Sequence, residues 1–366
     1  MDGTVIIVAF GAAILLAVLI TVAVRRFRKL VGMLESHLPR ETVERDGWRC
    51  MVIALPGLRV WAVPNSARER DLVTALDETA RSYPGWIPDH RLAGRGASAC
   101  WKLRLSKPSR RPIELERLDG ATSLRRLAIG VDTRGRPVTI DLVHTLVTAL
   151  TGWGKSNLMG VMIHQFTLFR EQGLVEFWAI DLKYGLEIGL YHDSDRLFPR
   201  QASTMGQAVE LLEALLAEME RRANLIRGSK RDLEPSAEFP RIVLFVDEAA
   251  ELFSKRNGKD AEAAIRLMGS ILSRSRSLGV TVVAFTQNPR VEAIPVRAGF
   301  PQRIAMRLND QSEAEMLLGK SAVERGAAPW LINQKGGGYI WNEGDDTISY
   351  FRSPLVDDRT VMTMGA

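Results

Sequence analysis

Cysteine is nearly absent from this sequence of 366 residues, and histidine is scarce. The two cysteines, Cys50 and Cys100, lie far apart without histidine neighbours, and the whole chain holds five histidines. A disulfide framework needs several cysteines at regular spacing, and a zinc site needs clustered cysteine and histidine ligands. The composition therefore argues against both and fits a protein in a reducing cytosol.

The start of the chain lacks the positive charges and the clear cleavage site of a secretory signal peptide. Asp2 is the only charged side chain before Val5–Val24, an apolar or small-residue run long enough to cross a bilayer as a helix. Four basic residues follow it directly: Arg25, Arg26, Arg28 and Lys29. By the positive-inside rule, we predict an uncleaved single-pass anchor in the cell membrane, with the rest of the chain in the cytoplasm.

The chain length suggests two or three domains. We place an anchor with a basic flank at residues 1–30, a small α+β domain at 31–126 and a motor domain at 127–366. In the small domain, 50–54, 58–63 and 99–105 resemble strands, and 70–81 has helical spacing. No catalytic signature occurs there.

The formal charge of +6 and the pI near 9.5 indicate an anionic partner, although the membrane flank supplies part of the excess. Basic residues concentrate just before the predicted motor domain. They are equally consistent with a surface that binds nucleic acid and with an ordinary solvent-exposed surface. They are Lys102, Arg104, Lys107, Arg110, Arg111, Arg117, Arg125 and Arg126.

The stretch from Leu146 to Asn157 runs from an apolar segment through a Gly-rich turn into a helical pattern. A strand, a tight loop and a helix in that order form a phosphate cradle, in which loop N–H groups and the helix dipole face an anion. Lys155 is expected to reach the β- and γ-phosphates of ATP, and Ser156 to bind Mg²⁺. The predicted nucleotide-binding residues are Thr151, Gly152, Trp153, Gly154, Lys155, Ser156 and Asn157.

Two features of this loop depart from the usual pattern G-x-x-x-x-G-K-[ST]. Ala149 occupies the first glycine position, and Trp153 is so bulky that its ring must point away from the phosphates. A chance Gly-Lys-Ser at a helix start is the alternative.

A second segment, Arg241–Glu248, is an apolar run that ends in two carboxylates, as expected of a buried parallel strand. Its end would emerge where open α/β sheets bind ligands. Asp247 is expected to hold Mg²⁺ together with Ser156, and Glu248 to act as general base on the attacking water. The two segments together predict a P-loop ATPase.

Strands and helices alternate from Leu127 onward, which predicts a parallel sheet with helices on both faces. Residues 127–141 read as a hairpin with its turn at 132–135, and helices are expected near 205–227 and 261–278. Gln287 ends a further strand, where it would sense the γ-phosphate. An ordinary capped strand end is the alternative.

The segment from Leu127 to about Tyr339 resembles the motor of FtsK/SpoIIIE-type DNA translocases, which are RecA-like ATPases. The matching pieces are Gly130-x-Asp132-x-x-Gly135-x-Pro137, Thr151-Gly-Trp-Gly-Lys-Ser156, Ile180-Asp-Leu-Lys183, Glu218-Met-Glu-Arg-Arg222, Val246-Asp-Glu248, Ser275-Arg-Ser-Leu-Gly279, Thr286-Gln-Asn-Pro289 and Pro301-Gln-Arg-Ile-Ala305. The resemblance implies a homohexameric ring with double-stranded DNA in its pore and ATP between subunits. It also implies that Arg276 acts in trans on the neighbouring site, although a surface arginine is an equal alternative.

The chain departs from chromosome-segregating members of that family, which typically have several membrane spans, a long linker and a winged-helix domain. One span, the absence of a linker and the region 317–341 resemble compact translocases of actinobacterial mobile elements. We therefore expect conjugative transfer of a plasmid or integrative element, with a chromosome-segregation pump at cell division as the alternative.

Other classes remain open. Related ATPases energise protein secretion, usually with several ATPase domains in tandem. A single-stranded-DNA coupling protein is expected to lack the hairpin and Gln-x-Pro pieces. A scaffold without activity would require that Ala149 and Trp153 disable nucleotide binding.

Overall fold

The computed structural model describes residues 112–364 except 134, 192, 230 and 345–347, together with four earlier strands and a few residues between 20 and 32. The chain forms two compact units. The first comprises Met1–Pro108 with Glu324–Gly326, and the second comprises Ser109–Val323 with Ala327–Ala366.

The described part of the first unit is an antiparallel sheet of four strands in the order β1-β2-β4-β3. Its strands are β1 (Arg49–Ala54), β2 (Leu58–Val63), β3 (Ile87–Leu92) and β4 (Trp101–Ser106). Three of them coincide with predicted strands, and β3 was missed. The helix predicted at 70–81 lies outside the described residues.

The predicted membrane anchor, Val5–Val24, falls almost entirely outside the described residues. Within the part of the chain that the structure describes, no helix combines the length and the apolar character needed to cross a bilayer. The anchor stays a prediction.

The second unit is built on a ten-stranded sheet in the order β6-β5-β14-β13-β12-β7-β11-β10-β8-β9. Its strands are β5 (Arg126–Val131), β6 (Pro137–Asp141), β7 (Thr145–Thr148), β8 (Val175–Ile180), β9 (Arg200–Ala202), β10 (Arg241–Val246), β11 (Val280–Thr286), β12 (Gln302–Ala305), β13 (Gly337–Asn342) and β14 (Ser349–Arg352).

The prediction of a parallel sheet is correct for one part of it and wrong for the other. Within the run β12-β7-β11-β10-β8-β9, each strand is parallel to the next one in the sheet. The β5–β6 hairpin and the β13–β14 pair extend the sheet with antiparallel strands. The sheet is mixed: β5–β6 and β13–β14 are consecutive strands that pair antiparallel, and β13 and β14 also pair antiparallel with β12 and β5.

Helices cover both faces of this sheet, as predicted. They are α1 (Lys155–Glu171), α2 (Ser194–Leu197), α3 (Met205–Ile226), α4 (Ala249–Leu252), α5 (Gly258–Arg274), α6 (Gln311–Leu318), α7 (Lys320–Glu324) and α8 (Asp358–Thr363). Short 3-10 turns occur at Leu115–Leu118, Ile188–Leu190, Lys255–Asn257, Arg276–Leu278, Arg297–Gly299 and Pro329–Leu331.

Alternation along β10 separates two apolar cores. Ile242, Leu244 and Val246 pack with residues of α3 and α5 on one face of the sheet. Val243 and Phe245 pack with residues of α1 on the other. Both faces of a parallel strand are therefore buried, which explains the unbroken apolar run in the sequence.

The second unit begins earlier than the predicted boundary at residue 127. Residues 112–126 belong to it, and the turn Leu115–Leu118 buries Leu118 in the core beneath α1. The division into anchor, small domain and motor stays a prediction.

The strand order decides which side chains meet at the carboxyl edge of the parallel strands. The P-loop strand β7 has β11 and β12 as neighbours, so β11 lies between β7 and β10. The residues that follow β11 are thereby placed between the P-loop and the carboxylates after β10. Strand β8 adds the residues that follow it on the far side of β10.

Candidate active site

The loop between β7 and α1 has the geometry of a phosphate cradle. Gly152 and Gly154 have φ values of 76° and 102°, a region that favours glycine. Helix α1 begins at Lys155, and its first internal hydrogen bond runs from the N–H of Leu158 to the carbonyl of Gly154. The N–H groups of the first turn therefore have no acceptor within the helix and are available to an anion.

Trp153 contacts the core and two residues outside the loop. Its half-buried ring packs against the core and lies beneath the guanidinium of Arg307, 5.3 Å from the ring centroid. Its carbonyl accepts a hydrogen bond from the N–H of Gly336 at 3.3 Å. Trp153 thus ties the loop to Arg307, to Gly336 and to the apolar core.

The ammonium group of Lys155 lies against both carboxylates that follow β10. Nζ is 3.2 Å from Oε2 of Glu248 and 3.6 Å from Oδ1 of Asp247, and it donates to the Asp247 carbonyl at 3.1 Å. The Lys155 side chain is 10% exposed and that of Asp247 is 2% exposed. Such buried charges require close partners, so the segments on β7 and β10 form one site.

Gln287 joins the P-loop to Glu248, as the strand order requires. Its backbone N–H donates to Oε1 of Glu248 at 3.1 Å, and its side-chain Oε1 accepts from the hydroxyl of Thr151 at 2.5 Å. Two hydrogen bonds made by Gln287 therefore connect Thr151 of the P-loop to Glu248.

Lys183 also lies at this site, although the sequence analysis assigned it no role. Its Nζ is 3.1 Å from Oδ2 of Asp247 and 3.5 Å from Oε2 of Glu248. Burial lowers the pKa of Lys183, but the two carboxylates and their hydrogen bonds outweigh that effect and raise it. A charged residue directly after a buried strand was the sequence signal for this position.

Asp181 fixes the backbone that carries Lys183. Its side chain is buried, and its Oδ1 accepts the N–H of Lys183 at 3.0 Å. Its Oδ2 accepts the N–H groups of Glu187 and Ile188 at 2.8 and 3.2 Å. The loop after β8 is therefore organised around one buried carboxylate.

Asn157, which is predicted to bind nucleotide, uses its side chain to contact the segment after β14. Its amide nitrogen donates to Ser353 Oγ and the Pro354 carbonyl, and its Oδ1 accepts the N–H of Val356 at 2.7 Å. These bonds fasten the segment after β14 to the first turn of α1. Ser156, beside it, is half-buried at the helix start.

Arg276 is not brought to this site within the chain. It is exposed in the turn Arg276–Leu278, which precedes β11, whereas the site follows β11. The seven residues of β11 separate the two ends by roughly 20 Å at about 3.3 Å per residue. Any role of Arg276 in hydrolysis is therefore a role at another subunit's site.

The turn that carries Arg276 is held from three sides. Ser275 Oγ pairs with Nε2 of His144 at 2.7 Å, and the Leu233 N–H donates to the Ser277 carbonyl at 2.8 Å. The buried guanidinium of Arg222 donates to the Leu278 carbonyl at 3.0 Å and pairs with Glu218 at 2.7 Å. An exposed arginine is thus presented on a fixed base.

The residues present fit ATP with Mg²⁺. A hydroxyl from Ser156 and a carboxylate from Asp247 are oxygen ligands of the kind that Mg²⁺ prefers. The buried ammonium of Lys155 lies beside the open first turn of α1, where phosphate oxygens bind.

Comparison with known proteins gives the same assignment. The FtsK/SpoIIIE family profile matches residues 113–340, which is more than half of the chain. The DNA translocase FtsK of Staphylococcus aureus is 28% identical over 256 residues, covering 64% of this chain and 31% of that protein. The FtsK of Lactiplantibacillus plantarum is 27% identical over 290 residues, covering 74% and 35%. The chain thus spans about a third of the length of these curated relatives.

Solved structures share the fold at low identity. The pCW3 conjugation coupling protein TcpA, in monomer form with ATPγS, superposes with a TM-score of 0.60 at 17% identity, covering 85% of this chain and 90% of that one. The cytoplasmic domain of the type VII secretion ATPase EccC of Thermomonospora curvata gives a TM-score of 0.52 at 21% identity, covering 68% and 32%. The matched segment of this chain is an ATPase domain.

Proposed function

Because the chain belongs to the FtsK/SpoIIIE family, we propose that it hydrolyses ATP to move along double-stranded DNA. The observation that carries the proposal is the meeting of Lys155, Asp247, Glu248 and Gln287 at one edge of the sheet. The segments that follow β7, β10 and β11 would supply a phosphate-binding cation, a metal ligand, a base and a contact to the base.

Each residue has a defined task in hydrolysis. Lys155 would bind the β- and γ-phosphates, and Ser156 and Asp247 would hold Mg²⁺, which would supply positive charge to the phosphate oxygens. Glu248 orients water and accepts its proton. Gln287 transmits the state of Glu248 and the P-loop to the segment after β11, since it contacts both.

We propose a homohexamer in which Arg276 of one subunit completes the site of the next. Its distance from the site of its own chain and the clamped turn beneath it support this arrangement. An arginine supplied in trans stabilises charge on the transferred phosphoryl group.

The DNA contact in this proposal is with phosphates. Phosphate contacts give affinity without reading sequence, so the motor should accept most sequences and bind more weakly as salt rises. The formal charge of +6 is consistent with an anionic partner.

Conjugative transfer from a membrane-anchored ring is the cellular role we propose. The predicted anchor at Val5–Val24 and the fold shared with a conjugation coupling protein support it. Chromosome segregation is the alternative within the family, supported by the FtsK relatives. The fold shared with a type VII secretion ATPase supports protein secretion as the alternative of another class.

The test is the ATPase rate of the purified protein at low salt with linear duplex DNA, with single-stranded DNA and with neither. We expect strong stimulation by duplex and weaker stimulation by single strands. Lys155→Ala should remove hydrolysis while the protein stays folded. Wild-type turnover in that variant would contradict the assignment of the P-loop, and a rate indifferent to every DNA would favour the secretion ATPase.

A further inference from the structure

The carboxylate pair of the nucleotide site is matched by two ammonium groups rather than one. Oδ1 of Asp247 faces Lys155 at 3.6 Å, and Oδ2 faces Lys183 at 3.1 Å. Oε2 of Glu248 lies 3.2 Å from Lys155 and 3.5 Å from Lys183. Two negative charges and two positive charges therefore cancel within one cluster.

Glu248 cannot act as a base in this arrangement. Its Oε2 faces both ammonium groups, and its Oε1 accepts the N–H of Gln287 at 3.1 Å. Asp247 is engaged in the same way, since its Oδ2 pairs with Lys183. Both carboxylates are paired with ammonium groups, and these pairs must separate before the carboxylates can serve in hydrolysis.

The two lysines differ in what they can do when a nucleotide arrives. Lys155 lies on the P-loop helix, where the phosphates themselves provide its next partner. Lys183 follows β8, its backbone is fixed by Asp181, and its side chain is 43% exposed. The backbone of Lys183 is therefore fixed, whereas its partly exposed side chain has room to move away from the carboxylates.

The structure also contains space for the Lys183 side chain away from the carboxylates. It lines a cavity of about 680 Å³ beside Glu248, and Glu251 and Glu292 line the same cavity. A displaced ammonium group would meet carboxylates and solvent there, so leaving Asp247 need not strand a charge.

We propose that Lys183 is a positioning residue whose ammonium group competes with Mg²⁺ for Asp247, so that binding of the metal displaces the ammonium group into the cavity. Until the metal binds, the ammonium group offsets the repulsion between the negative charges of Asp247 and Glu248. Glu248 is freed only when both lysines have moved. The inference deepens the proposed function and rests on its nucleotide site.

Competition between Lys183 and Mg²⁺ predicts that loss of the lysine charge changes two nucleotide affinities in opposite directions, which a purely structural role would not do. Without the charge of Lys183, Mg²⁺ no longer has to displace an ion pair, so the affinity for nucleotide with Mg²⁺ should rise. Nucleotide without Mg²⁺ then faces carboxylates that lack a counter-charge, so that affinity should fall. The ratio of the two affinities should therefore increase roughly fivefold, the size expected of a half-exposed ion pair.

The experiment measures binding of a fluorescent non-hydrolysable ATP analogue by polarisation, with Mg²⁺ and with EDTA. Lys183→Met and Lys183→Gln remove the charge, and Lys183→Arg keeps it. Lys255→Met is the matched control, because Lys255 lines the same cavity. We expect the ratio to rise in the two neutral variants and to stay within about twofold of wild type in the other two.

An unchanged or lower ratio in neutral variants that still bind would overturn the inference and leave the nucleotide site intact. Equal loss of both affinities would also overturn it, since it would show a purely structural role. Absence of binding by wild type under both conditions would remove the proposed nucleotide site itself, and the inference with it.

Discussion

Acidification from pH 7 to pH 5 should destabilise the second unit through one buried side chain, His144. This residue precedes β7 and is 7% exposed. The N–H of Val282 donates to its Nδ1 at 3.0 Å, so the ring proton lies on Nε2 and faces Ser275 Oγ at 2.7 Å. Protonation would place a second N–H donor against that of Val282, and the charge would be buried.

The magnitude follows from the pKa. Burial lowers the pKa of His144 from 6.5 to about 4. The folded state therefore stays neutral where the unfolded chain takes up a proton, and stability is full above about pH 6.5 and is lost as the pH falls towards 4. Linkage over this interval gives a loss of about 2 kcal/mol between pH 7 and pH 5.

Urea denaturation at pH 7 and pH 5, followed by tryptophan fluorescence, measures this loss. His144→Asn is the comparison, because an amide oxygen can still accept from Val282 and asparagine does not titrate. Other groups contribute equally to both proteins, so wild type should lose about 2 kcal/mol more than the variant. Equal losses in the two proteins would refute the reasoning.

Three further substitutions follow from the geometry. Glu248→Gln should bind ATP and lose roughly 10²–10⁴-fold in phosphate release, and normal turnover would exclude it as the base. Arg222→Met should lower the free energy of unfolding, measured in urea, by roughly 3 kcal/mol. Arg221→Met removes the exposed partner of the same carboxylate and should have a much smaller effect, and equal effects would contradict the buried role of Arg222. Gly154→Ala should cost about 1 kcal/mol or more and weaken nucleotide binding measured by polarisation, because φ is +102° and the new Cβ would lie 3.1 Å from the nitrogen of Gly336; wild-type affinity would argue against a strained loop.

The sequence predicts those parts of the site whose signals are local. The P-loop and the carboxylates after β10 are each contiguous, and the chemistry of each follows from residue type and order. The position of Gln287 at the end of a strand was also visible. The structure adds that β11 separates β7 from β10, and that order explains why Gln287 touches both Thr151 and Glu248.

Contacts between distant parts of the chain could not be predicted in this way. Lys183 and Asp247 are 64 residues apart, and Asn157 bonds to Pro354 across 197 residues. A lysine after a strand carries no mark of its partner, and an asparagine after Gly-Lys-Ser reads as part of the phosphate loop. Burial and hydrogen-bond geometry decide these roles.

The C-terminal end of helix α5 shows the limit of predicting a helix from apolar periodicity. The apolar pattern predicts a helix over 261–278, but α5 ends at Arg274 and a 3-10 turn follows. Gly279 has a φ of 69°, and Ser275 is held by His144. The helix therefore ends before its apolar pattern does, because of the local backbone conformation and the hydrogen bond from Ser275 to His144, which precedes β7.

Movement along duplex DNA is the central claim, and displacement of a triplex-forming strand tests it most directly. The purified protein would be mixed at low salt with a linear duplex that carries a labelled third strand, and release would be followed with ATP and with a non-hydrolysable analogue. The account predicts ATP-dependent release by wild type and none by Glu248→Gln, although that variant still binds nucleotide. Duplex-stimulated ATP hydrolysis without release of the third strand, at any protein concentration, would contradict translocation.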